Sequence, residues 1–329
     1  VAALVVAAGA GCHPSPRATG PATAPAAVST GLFHGWATYV ISNPAAEVVV
    51  VPAIGRLMQF RLAGAAHSAP LWHHPRLGGE LAPDENGWIN FGGDKAWPAP
   101  QSGWEKVTGK GWPPPKTFDA TPFSAAPVAG GIELVSAVDP AYGVRVRRTF
   151  VLDPTRPVLT IDTSYEKLDG APIRIGLWTI AQLVSPERLF VELPERSSFA
   201  GGYALRFPDP PRDLRVEGRL LSLARDPARK TMLGTDGEAL LWVGDGPDLL
   251  VETVAQTDGG EGWPDGAHAQ IYTSSDEAVP YVELELLARL HDLRIGDRAY
   301  MKTRYTLLPR TDRDPTAEAK RVFAATASR

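Results

Sequence analysis

Between about residues 31 and 310 the chain keeps returning to one motif: a short run rich in Val, Ile, Leu, Tyr and Thr, closed by a turn of Gly, Pro, Asp or Asn. The run Glu47–Pro52 is β-branched and lies between Asn43-Pro44 and Gly55. Val144–Val151 alternates Val and Arg before Asp153-Pro154. Alternation of this kind marks a strand with one face in water, and a continuous β-branched run marks a buried strand. The same reading predicts strands over Val158–Tyr165, Ile173–Leu183, Leu214–Leu221, Ala239–Val243, Leu249–Gln256, Ala269–Thr273, Tyr281–Leu287 and Ala299–Leu308. The 32 glycines and 31 prolines supply the turns between them and leave little room for helices. Only Pro315–Thr326, behind a possible Asp314 cap, has helical character over more than two turns. No repeat with the period of a propeller or solenoid is visible. The expectation is an all-β domain over 31–310, two large and mainly antiparallel sheets packed as a sandwich, with a helical tail over 311–329. The longest stretch without a strand pattern runs from about 70 to 120 and is dense in Trp, Pro, Gly and His. A loop of that length in a compact domain usually carries function.

The overall charge of −4 and the absence of any Lys/Arg block remove the electrostatic footprint of a nucleic-acid binder. The single cysteine, Cys12, follows the apolar run Val1–Gly11, whose last residues are small. That run is too short to span a bilayer but fits the apolar part of a secretory signal. The expectation is a truncated signal over 1–12 ending at a lipidated Cys12, a Pro/Ala/Thr-rich tether over 13–30, and a body held at the cell envelope by a lipid anchor alone. There is no GxGxxG turn, phosphate-cradling loop, GxSxG elbow or HExxH pair. Adjacent His73 and His74 would point to opposite sides of a strand, so no metal site and no cofactor are expected.

Two stretches carry chemistry. Residues 88–115 bring Trp88, Trp97, Trp104 and Trp112 together with Asp94, Lys95 and Glu105. An indole covers the apolar face of a pyranose while charged and amide groups take its hydroxyls. The same tryptophans would equally staple a Pro-rich loop to the sandwich. The second stretch holds Glu261, Trp263-Pro-Asp265-Gly, His268 and Gln270–Thr273, followed by Tyr281–Leu287. On that last strand Glu283 and Glu285 share a face, about 7 Å apart. In a cleft their repulsion would raise one pKa and give an acid/base pair. On a solvated face, with Val282, Leu284 and Leu286 inside, they would be inert.

Taken in order, Val49–Arg56, Leu71-Trp72, Phe91–Pro100 with Trp112–Pro115, Trp178–Gln182, Trp263–Gly266, Gln270–Thr273 and Tyr281–Glu285 resemble an uncharacterised bacterial domain family. That family is assigned to the galactose-mutarotase-like β-supersandwich, and the likeness spans about residues 36–308. It implies an aldose 1-epimerase-like fold, with Glu285 at the position of the epimerase base. The epimerase histidine would fall near Leu177–Gln182, where this chain has Trp178, Thr179 and Gln182 instead.

The resulting expectation is recognition of a sugar or polysaccharide outside the cytoplasm. Arg56, Asp94, Lys95, Trp97, Trp104, Gln182, Glu261 and Asp265 are the expected contacts. The alternatives are a sugar-active enzyme using Glu285 or Glu283 as base with His268 assisting, and an assembly lipoprotein that binds a protein through its tryptophans.

Overall fold

The strand Tyr281–Leu287 shows how this sequence builds its sheets. Val282, Leu284 and Leu286 enter the common core, while Glu283 and Glu285 take the opposite face. Repeated along the chain, this pattern gives two stacked antiparallel sheets in a computed structural model that describes Val1 and residues 24–65, 69–79 and 81–327. With strands numbered in chain order, the first sheet runs β1 (Ala27–Phe33), β2 (Trp36–Ser42), β3 (Ala46–Val51), β4 (Arg56–Leu62), β5 (Asp94–Ala99), β10 (Ile173–Val184), β19 (Tyr281–Leu287), β18 (Ala269–Thr273), β15 (Thr231–Thr235) and β12 (Ala204–Leu205). β20 (His291–Leu293) also pairs with β10. The second runs β13 (Arg215–Glu217), β14 (Leu220–Leu223), β11 (Arg188–Glu192), β16 (Ala239–Val243), β17 (Asp248–Thr257), β21 (Arg298–Pro309), β9 (Val158–Lys167), β8 (Val144–Leu152), β7 (Gly131–Val138) and β6 (Ser124–Val128).

Between the sheets lies an apolar core that also holds one polar knot. Arg148 on β8 donates to Asp94 on β5 at 2.5 Å, Tyr305 on β21 donates to the other Asp94 oxygen at 2.8 Å, and all three side chains are buried. Glu252 of β17 is fully buried in the same core, and burial, then the charge of Asp94, raises its pKa well above the usual carboxylate range.

The loop expected over 70–120 contains a strand. β5 pairs with β10 from Asp94↔Ala181 to Ala99↔Gly176, in the middle of the first sheet. All six of its residues are buried, so it shows no alternation. Its proline is tolerated because β4 has already peeled away, pairing only Leu57 with Asp94. There the Pro98 carbonyl accepts the Trp104 indole at 2.7 Å. After β5 come two short helices, α1 (Trp104–Thr108) and α2 (Lys116–Asp119).

Gly92 and Gly93 let this segment enter the sheet. Both have positive φ (87° and 72°), and an added Cβ would stand 2.2 Å from the Trp72 carbonyl oxygen or 2.5 Å from that of Leu57. Backbone cannot step aside as a flexible side chain can. Gly93→Ala should therefore lower stability by about 2 kcal/mol or more. An unchanged urea midpoint would refute that reading.

Two other expectations are corrected. Residues 27–30, assigned to the tether, belong to β1, which pairs along its whole length with β2 and leans on the core through Val28. The single strand over 214–221 is two, β13 and β14, turned at Gly218 with φ 62°. Cys12 and residues 13–23 lie outside the described residues. At the other end, α3 (Pro315–Ala327) begins behind Asp314, which accepts the Thr316 N–H at 2.9 Å. It lays Ala319, Val322 and Phe323 on the outer face of the second sheet.

Candidate functional site

The outer face of the first sheet carries the candidate chemistry. Register fixes its layout: Trp97 of β5 lies opposite Trp178 of β10, Leu287 of β19 lies opposite Trp178, and Glu285 lies opposite Gln270 of β18. Lys95 and Trp97 are two apart on β5 and so share this face.

Trp88 and residues 100–119 fold over that face as a roof. Its pin is Asp119. One oxygen accepts from Arg56 (2.6 Å) and from the Trp97 indole (2.9 Å), and the other accepts the Trp88 indole at 3.0 Å. Arg56 also donates to the carbonyl oxygens of Asp119 (3.2 Å) and Gly92 (2.8 Å). The guanidinium is fully buried, and burial lowers its pKa despite the nearby carboxylates. Trp104, also fully buried, packs against Trp97 and Trp112. The tryptophans thus act mainly as staples. Under the roof, Lys95 pairs with Glu283 at 3.1 Å and lies 4.7 Å from the Trp97 ring centre. Burial lowers the Lys95 pKa, with Glu283 acting in the opposite direction.

Glu285 is 1% exposed. Its Oε2 accepts the Trp178 indole N–H at 2.7 Å. With its amide oriented to complement its neighbours, Gln270 donates to the same oxygen at 3.0 Å and accepts from Arg206 Nη2 at 3.1 Å. Arg206 in turn pairs with Asp265 at 2.8 Å, and Ser102 donates to Asp265 at 3.3 Å. Burial, and then the charge of Glu283, push the Glu285 carboxyl up to about 8. At neutral pH it is mostly a neutral acid.

The roof and the last hairpin meet around a cavity of about 400 Å³. Pro100, Gln101, Ser102, Glu105 and Gly111 come from the roof; Pro264, Asp265, Gln270 and Leu287 come from the hairpin region; Trp178, Arg206, Phe207 and Met232 complete the wall. Glu285 stands one side chain behind, reached through Trp178 and Gln270.

Of the eight expected contacts, Asp265 alone lines this cavity. Asp94 neighbours Lys95 on a strand and therefore points the other way, into the core. Arg56, Trp97 and Trp104 hold the roof. Lys95 lies sealed beneath it. Gln182 is fully buried, opposite Glu283 in the ladder. Glu261 is exposed, and its backbone carbonyl accepts from Arg174 at 2.8 Å. Of the three residues assigned to acid/base work, Glu283 and Glu285 share the covered face, whereas His268 lines a separate cavity on the other side of the Trp263–Asp265 turn. Arg206, Phe207 and Met232 were missed; they sit in ordinary sequence on or beside β12 and β15, with no motif to mark them.

No protein-family model matches the chain, and no curated protein matches it. Solved structures do. A galactose mutarotase-like protein from Lactobacillus casei ATCC 334 superposes with a TM-score of 0.56 at 10% identity, over 82% of this chain and 100% of the other. A galactose mutarotase related enzyme from Lactobacillus acidophilus gives 0.55 at 12% identity, over 84% and 98%. A candidate aldose 1-epimerase from Escherichia coli K12 gives 0.51 at 14% identity, over 83% and 99%. At such identities the likeness is one of architecture, and the chain has the galactose-mutarotase-like supersandwich fold.

Proposed function

We propose that the roofed cavity is a sugar-recognition site, and that the protein works by binding rather than by ring opening, on the outer side of the membrane at the end of the Cys12 anchor. The observation that carries this reading is the join of Trp178 and Gln270 at the cavity wall with the Arg206–Asp265 pair beside them. An indole with amide, guanidinium and carboxylate groups around it suits a pyranose, apolar on its faces and polar at its rim. A 400 Å³ hollow is large enough for a sugar ring. Epimerase chemistry fits less well. A base must reach the proton it removes, directly or through one water. Glu285 is sealed behind two side chains that hydrogen-bond it, and Trp178 occupies the stretch where the epimerase histidine would fall.

The test is titration calorimetry with a panel of neutral and acidic monosaccharides, followed by polarimetry on any that bind. Arg206→Ala should weaken binding by about tenfold or more, the scale of one lost charged hydrogen bond, while far-UV dichroism stays unchanged. Mutarotation of the bound sugar should run at its spontaneous rate. Acceleration by the wild type that disappears in Glu285→Gln would replace binding with catalysis.

A further inference from the structure

A second cavity, of about 330 Å³, adjoins the first. The two share Leu287, and the loop 263–268 stands between them, giving Asp265 to one and Trp263 and His268 to the other. The second hollow repeats the chemistry of the first. Where the first has Trp178, Gln270 and Arg206, the second has Trp263, Gln256 and Arg289. The carboxylates are Asp265 and Glu105 on one side and Glu238 on the other.

Its polar groups are poised for a ligand. Arg289 lies exposed, 4.9 Å from the Trp263 ring centre, and is paired with no carboxylate among the described residues. His268 stacks on the same indole at 3.7 Å, with its Nδ1 sealed from solvent and lacking any partner. Burial keeps that ring neutral, so it carries one N–H. An orphaned buried acceptor is better tolerated than an orphaned donor. The proton therefore belongs on Nε2, which becomes a donor.

We propose that the two hollows are consecutive subsites for a neutral glycan chain that crosses the loop 263–268. This rests on the sugar reading above and deepens it. The first hollow sets one cation, Arg206, already paired with Asp265, against two carboxylates, and the second sets Arg289 against Glu238, so an anionic polymer would find no net positive charge to hold it. Hydroxyl groups, which both donate and accept, suit walls carrying both kinds of partner.

Calorimetry with a ladder of neutral gluco- and galacto-oligosaccharides, monosaccharide through hexasaccharide, tests this. Wild-type affinity should rise by about tenfold or more as the chain becomes long enough to reach the second hollow. The double variant Arg289→Ala/Gln256→Ala, at two exposed positions, should lose that gain and keep the monosaccharide affinity. Arg206→Ala should weaken every rung. Equal affinity along the ladder, or a gain that survives the double variant, overturns the second subsite and leaves the first standing. Silence with every saccharide overturns both.

Discussion

Arg148→Met will lower the free energy of unfolding by about 3–5 kcal/mol, the usual effect of stranding one partner of a buried ion pair. Arg148 is the cation that faces Asp94 between the sheets, where Asp94, Arg148 and Tyr305 are each no more than 1% exposed. Without it, Asp94 keeps the Tyr305 hydroxyl but loses the cation in direct contact with it, close to Glu252. The double variant Asp94→Leu/Arg148→Met should regain most of the loss, because apolar groups of similar volume commonly replace such a pair at little cost. Urea unfolding of both variants measures this. A single-variant loss below about 1 kcal/mol, the scale of an exposed pair, would show that the knot is weaker than its geometry indicates.

The second large effect is on the pH dependence of stability. In the unfolded chain Glu285 should titrate near 4.5; in the folded protein it does so near 8. Below about pH 4.5 both states hold the proton and the group is neutral toward stability. Between the two values the unfolded chain releases a proton that the folded one keeps, so stability falls as pH rises, by up to about 1.4 kcal/mol per pH unit. Above about pH 8 the full penalty is present. Gln is the near-isostere of the protonated acid. Glu285→Gln should therefore match the wild type at about pH 4.5 and exceed it at about pH 8.5 by something on the order of 5 kcal/mol. Glu252, shifted in the same direction, leaves a residual slope in both proteins. Parallel stability profiles would remove Glu285 as a buried acid.

The sandwich class was readable from strands that alternate over a wet face, as β8 and β21 do, whereas β2, β4, β7, β11 and β15 were not anticipated. β5 was not readable. It is covered on both faces, carries a proline and follows two glycines, each a mark of a loop when taken alone. The mistake passed directly into the site. Treating Asp94–Ala99 as a loop allowed Asp94, Lys95 and Trp97 to converge on one ligand, whereas a strand must send Asp94 the opposite way. Glu283 and Glu285 illustrate a different limit. Period two correctly placed them together on the face opposite Val282, Leu284 and Leu286. Whether that face met water depended on a roof supplied by residues nearly two hundred positions earlier, and no local pattern encodes that. His268 was close in sequence to the cavity residues Asp265 and Gln270, yet a turn with Asp265 at φ 51° separates them.

The Asp119 pin has a consequence for anyone wishing to reshape the roofed hollow. Because one carboxylate ties together β4, β5 and the roof, the smallest portable module runs from Arg56 to Asp119. A transplant of the tryptophan-bearing stretch alone would arrive without the guanidinium that holds its anchor. Specificity is more safely recast at Glu105, Arg206 and Asp265, whose side chains reach the hollow from outside that clasp.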